Sequence, residues 1–105
     1  MDLVLNIYQA TDNFPSKETY GLANQIRRAA VSIPSNIAEG AARQTKREFM
    51  NFLHIAQGSL SELDTQVELA NRLEYLSDKT RNNLDEQMER IDKMLTGLIR
   101  HLKKA

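Results

Sequence analysis

The sequence has no cysteine, which excludes a disulfide framework and any thiolate-bound metal. Tryptophan is also absent, and aromatic residues amount to only 6%. There are two prolines and four glycines. The glycines stand apart at Gly21, Gly40, Gly58 and Gly97, so no phosphate-cradling loop is predicted. Neither sign of charge is in excess: 14 Lys and Arg balance 14 Asp and Glu. This excludes a polyelectrolyte tail and argues against strong non-specific attraction to nucleic acid, unless the charge is unevenly spread. No apolar run is long enough for a transmembrane helix. The opening Met1-Asp2-Leu3-Val4-Leu5 lacks a basic region and its apolar run stops at Asn6, so no targeting segment is predicted. The expectation is a soluble cytoplasmic protein without membrane contact.

What is present is a foldable chain. Hydrophobic residues make up 41% and charged residues 27% of 105 residues, too apolar for disorder and the right length for one domain over residues 1–105. Surface scaling gives roughly 6,000 Å² exposed when folded from about 17,000 Å² unfolded.

Four segments carry helical periodicity and none carries sustained strand alternation. In the first, Leu3, Ile7, Ala10 and Phe14 step 4-3-4, and Pro15 stops the helix because the residue before proline is pushed from the α region. Residues 15–19 read as a loop. The second segment runs from about Tyr20 to Ala42 with a stripe of Leu22, Ile26, Ala29, Ile33 and Ile37. Pro34 lies inside it and frees the carbonyl of Ala30. A kink is favoured over a break into two helices, since Ile33 and Ile37 stay in phase. Gly40 either ends this helix or allows close packing.

The third segment steps faultlessly through Phe49, Leu53, Ala56, Leu60, Leu63, Val67 and Ala70. Thr45 and Glu48 form a capping box at its start, and the helix is predicted over about Lys46 to Glu74. Ser59 and Glu62 match the same box but lie mid-stripe. In the fourth segment Leu84, Met88, Ile91, Leu95, Leu98 and Leu102 alternate likewise, with Ser77 or Asp78 as N-cap. Its acidic start and its basic end, Arg100, Lys103 and Lys104, complement the helix dipole. Short connections predict an all-α, antiparallel up-down-up-down four-helix bundle with the second helix kinked at Pro34. Val4, Tyr8, Phe52, Ile55, Leu69, Leu73, Met94 and Ile99 fall off the main seams. They divide between a second core face and an oligomer surface.

No catalytic residue, cofactor or metal site is predicted. Di-iron bundles need Glu-x-x-His pairs, but Asn51 stands three before His54 and Leu98 three before His101. His54 reads as a surface or second-face residue and His101 as a helix C-terminal cation. No nucleophile has a base and an orienting group beside it. Asp85, Glu89 and Asp92 read as a solvated face, with Glu89 and Lys93 an i,i+4 pair.

The charge is concentrated. Between residues 27 and 47 stand Arg27, Arg28, Arg43, Lys46 and Arg47 against Glu39 alone, a local +4 that leaves −4 for the remainder. Lys46 and Arg47 open a helix, where the dipole disfavours cations. A local rule broken at one place points to function. These five are candidate nucleic-acid contacts, the alternative for Arg27 or Arg28 being an internal pair with Glu39 or a third-helix carboxylate. Asn36 and Glu39, three apart near Pro34, are a candidate partner site, or a structural pair that satisfies the freed carbonyl.

The run Gln25-Ile26-Arg27-Arg28-Ala29-Ala30-Val31-Ser32-Ile33-Pro34-Ser35-Asn36-Ile37-Ala38-Glu39-Gly40 resembles the bacterial four-helix bundle protein family. So do Tyr20-Gly21-Leu22 before it and Glu48-Phe49, Phe52-Leu53, Ala56, Gly58-Ser59-Leu60 and Glu62-Leu63 after it. Members are often named for reading frames inside intervening sequences of 23S ribosomal RNA genes. The resemblance covers nearly the whole chain. More distantly, the chain is similar to the accessory protein of diversity-generating retroelements, which binds nucleic acid and the reverse transcriptase. The resemblance implies an antiparallel four-helix bundle, a ring-shaped homopentamer with a central channel, and no enzymatic activity. This chain departs from the pattern in lacking an initial Trp-bearing segment and in being neutral, where the retroelement protein is strongly basic.

The expected function is a non-catalytic oligomeric bundle that binds RNA or a nucleic-acid complex through a basic rim. The alternative is a protein-interaction scaffold without nucleic-acid contact, docking a protein partner near Asn36 and Glu39.

Overall fold

The computed structural model describes residues 1–104. Four α-helices follow in order: α1 (Asp2–Thr11), α2 (Leu22–Ala41), α3 (Lys46–Arg72) and α4 (Asp78–Lys103), with a 3₁₀ turn at Ser16–Glu18 between the first two. No strand occurs among the described residues. Each helix packs against the next, α1 also meets α4, and the backbones of the diagonal pairs stay more than 8 Å apart, Cα to Cα. The helices therefore surround one core as the corners of a square. Glu68 of α3 meets Arg81 of α4 while Gln57 meets Thr96, so these two helices run in opposite directions. Ser32 meets Ser59, and Gly40 meets Phe49 and Phe52, which sets the same relation between α2 and α3.

Most positions of the apolar seams are buried, while Ala10, Ile37 and Phe49 are half-buried. Leu3, Ile7, Leu22, Ile26, Ala29, Ala30, Ile33, Leu53, Ala56, Leu60, Leu63, Val67, Ala70, Leu84, Met88 and Leu95 are all core. Ile99, off the main seam of α4, is buried as well, whereas Ile91, Leu98 and Leu102 are only half-buried. For Leu98 and Leu102 the reason is length. The ten residues of α1 face residues 79–91 of the 26-residue α4, so the last turns of α4 lack a neighbour on that side. The chain measures 47 × 24 × 19 Å and exposes 6776 Å², more than a compact shape of this mass, as a slender bundle must.

Helix ends follow local chemistry. α1 stops at Thr11 rather than continuing to Phe14. The Thr11 hydroxyl donates to the carbonyl of Ile7 at 2.8 Å and accepts from Arg27 Nε at 2.7 Å. Phe14 is nonetheless buried, its ring 5.2 Å from that of Tyr75. α2 has no side-chain cap at Gly21; Glu18 instead accepts from the Leu22 amide at 3.3 Å and from the Tyr75 hydroxyl at 2.9 Å. This carboxylate ties the first loop to the last, and its proximity raises the Tyr75 phenol above the ordinary value. The α2 helix is continuous through Pro34; it does not break in two.

Thr45 caps α3, its hydroxyl accepting from the Glu48 amide at 3.1 Å. Glu48 takes the Thr45 hydroxyl at 3.0 Å rather than the Thr45 amide. Ser77 caps α4 through the Thr80 amide at 3.1 Å. The end of α3 turns through Glu74 at φ 64°. The Tyr75 amide donates to Ala70 and the Glu74 amide to Asn71, the paired bonds of a Schellman motif.

Candidate nucleic-acid interface

The five predicted cations do not form one cluster. Arg27 is drawn into the bundle. Its Nε donates to Thr11 Oγ1 at 2.7 Å, its Nη2 to Asp12 Oδ1 at 3.0 Å, and its guanidinium lies 4.9 Å from the centre of the Tyr8 ring. It bolts α2 to α1, a pairing with neither Glu39 nor α3. Arg28 is exposed beside Val31, at mid-helix. Arg43 pairs with Glu39 and covers the Phe52 ring at 4.9 Å. Lys46 and Arg47 are exposed on the first turn of α3 and, among the described residues, make no salt bridge.

Asn36 and Glu39 likewise go separate ways. The Asn36 amide donates to the Ser32 carbonyl at 2.8 Å and the Ser32 hydroxyl at 2.9 Å. It does not reach the Ala30 carbonyl that Pro34 frees. The Ser32 hydroxyl stands 2.8 Å from that of Ser59 on α3, which makes a polar bridge between the two helices.

The opposed directions of α3 and α4 create a different cluster. The first turn of α3 and the last turns of α4 lie at the same end of the bundle. Arg100, Lys103 and Lys104 therefore join Arg43, Lys46 and Arg47, six cations against the two carboxylates Glu39 and Glu48. Both histidines, His54 and His101, lie at this end and are exposed. Periodicity and the dipole explained the α4 cations singly. Their convergence with Lys46 and Arg47 was available from the short connection at residues 73–77, which already required adjacent, opposed helices.

The rest of the α3–α4 face has the opposite sign. A groove between Leu60 and Asp92 is lined by Asp64, Asp85, Glu89 and Asp92, with Arg81 at its far end. Arg81 donates to Glu68 at 2.7 Å and to Asp85 at 2.8 Å, and Glu89 pairs with Lys93 at 3.1 Å. The hydrogen bonds from Arg72 and then Arg81 hold the Glu68 carboxyl below its ordinary range. Among the described residues no group of His, Asp or Glu has the arrangement to hold a metal. No helix among them is long and apolar enough to cross a membrane.

Several apolar side chains remain in water. Ile55, Leu69 and Leu73 are each about half-exposed along one edge of α3, spaced with Ser59, Glu62 and Gln66 in steps of 4 and 3. That second seam is beside the one that enters the core.

The fold is shared with a solved structure. No curated protein matches the chain. Among solved structures it is similar to a protein of unknown function from the S23 ribosomal protein family of Bacteroides thetaiotaomicron. The identity is 28%, the TM-score is 0.80, and the match covers 91% of this chain and 87% of that one. The family model for 23S rRNA-intervening sequence proteins matches residues 1–97. The chain belongs to the 23S rRNA-intervening sequence protein family.

Proposed function

We propose that this protein is a non-catalytic, self-associating bundle that binds structured RNA through its basic end. The observation that carries this reading is the convergence of Lys46 and Arg47 on α3 with Arg100, Lys103 and Lys104 on α4. Lys46 and Arg47 sit where the helix dipole disfavours them, so their placement costs stability and is offset by a bound phosphate. The acidic groove along the adjoining face repels the same ligand and confines it to the end. In this reading Arg27 and Asn36 are structural, Arg28 lies outside the site, and Arg43 contributes once its pair with Glu39 opens.

Self-association multiplies the effect. The half-exposed seam of Ile55, Leu69 and Leu73 supplies an apolar surface for a second copy, and the family resemblance implies a ring of five. Each copy then presents its basic end on the same rim, so a neutral chain builds a locally basic assembly. The test is equilibrium binding of a structured RNA at about 50 and 200 mM salt. Saturable binding that weakens by about three orders of magnitude is expected for some six phosphate contacts. Binding that is absent, or indifferent to salt, overturns the reading.

A further inference from the structure

The geometry points to a nucleotide-sized groove within this basic end, and we infer that it takes one unpaired nucleotide of an RNA strand. The inference rests on the RNA reading above and names what part of the RNA is held. The groove lies between α3 and α4, is open to solvent with a volume of about 310 Å³, and is lined by His54, Gln57, Thr96, Ile99, Arg100 and Lys103. That volume is at the small end of ligand sites. Its lining is ordered by chemistry. Ile99 is buried and forms an apolar floor. The His54 ring is exposed beside it and offers a flat face for a base.

Gln57 and Thr96 stand across from one another, joined only by a long 3.4 Å contact from Gln57 Nε2 to Thr96 Oγ1. Both carry donors and acceptors that a base edge satisfies better. Arg100 and Lys103 line the groove one turn apart on α4 and are exposed, so they can meet the flanking phosphates. No carboxylate lines the groove, whereas four line its neighbour on the same face. A strand seated here continues over the end toward Lys46 and Arg47 and is turned back by Asp92 and Glu89.

A duplex does not fit this arrangement. Its bases are stacked inside and its accessible edges lie in a shallow minor groove, so only the phosphates are reached. A base splayed from a loop or an end enters the groove.

The test is fluorescence anisotropy at one salt concentration with three probes: an unpaired RNA oligomer, a blunt RNA duplex of equal length, and a 5′-mononucleotide as competitor. The oligomer is expected to bind about tenfold more tightly than the duplex. His54→Ala is expected to weaken the oligomer by about tenfold, as loss of one stacked base does, while leaving the salt slope unchanged. His54 is exposed, so its substitution leaves folding intact, and helix content by circular dichroism checks this. Equal affinity for oligomer and duplex, or an unchanged His54→Ala, overturns the groove and leaves the phosphate-binding rim standing. A mononucleotide that competes as strongly as the oligomer assigns the groove to a free nucleotide and also overturns it. No binding of either RNA overturns both readings.

Discussion

Glu74 holds φ at 64°, in the left-handed region that costs a residue with a Cβ roughly 1–2 kcal/mol. The Schellman bonds from Tyr75 to Ala70 and Glu74 to Asn71 need that conformation, and its side chain makes no compensating contact among the described residues. Glu74→Gly should therefore stabilise the fold by about 0.5–1 kcal/mol, after the greater freedom of glycine in the unfolded chain is allowed for. A urea titration measures it. A second residue-scale prediction concerns acid. The folded-state value of Glu68 is depressed, first by Arg72 and then by Arg81, so the folded state binds its proton less readily than the unfolded chain. Its contribution is complete above the unfolded value, about pH 4.3, and is lost as pH falls through the folded one. Glu68 is 43% exposed, and solvent screening keeps the effect small. Glu68→Gln should lower the urea midpoint near pH 7, and the gap from the parent should narrow as pH falls below the unfolded value.

At the scale of elements, α2 and α3 are held close by small residues. A Cβ at Gly40 would meet Phe52 Cβ at 2.8 Å, Phe49 Cδ1 at 2.9 Å and the Phe49 carbonyl at 3.2 Å. Gly40→Ala must push the two helices apart and should cost about 1–3 kcal/mol, read as a lower thermal midpoint. Spacing alone left this glycine open between a helix stop and a close approach, because both use the same residue and only the neighbouring helix decides. The same limit governs α1. Periodicity carried Phe14 into the helix, and the structure buries Phe14, yet the helix ends at Thr11. The strongest seams, those of α3 and α4, were legible as helices, and so was the Thr45 N-cap, while the cap of α4 was narrowed to Ser77 or Asp78 and proves to be Ser77. Cap chemistry and apolar stripes are local, so one chain states them. Partners across helices are not. Arg27 was open to pairing from its charge, but nothing local pointed to Thr11, Asp12 and Tyr8.

At the scale of the molecule, the neutral total conceals a division by position. Six cations gather where α3 begins and α4 ends, and carboxylates line the next stretch of the same face. A charge count along the sequence found +4 in residues 27–47, but that window joined Arg27, which serves the core, to Lys46 and Arg47, which do not. It also separated Lys46 and Arg47 from Arg100 and Lys103, more than fifty positions away in the sequence. Topology supplies that connection. The exposed seam on α3 belongs to this scale too. Ile55→Asp with Leu69→Asp should reduce the mass in solution from an assembly, five times the 12.0 kDa chain in the ring reading, to a single folded chain. Light scattering records the mass and circular dichroism the retained helix.

The basic end as an RNA site is the central claim, and the salt dependence of RNA binding tests it most directly. The parent protein is compared with Lys46→Gln/Arg47→Gln on α3 and with Arg100→Gln/Lys103→Gln on α4. Each lost phosphate contact removes roughly one from the slope of log K against log salt. Both variants are expected to bind more weakly and to lose about two from the slope. A parent slope near zero, or an α4 variant indistinguishable from the parent, would contradict a site built jointly from the two helix ends.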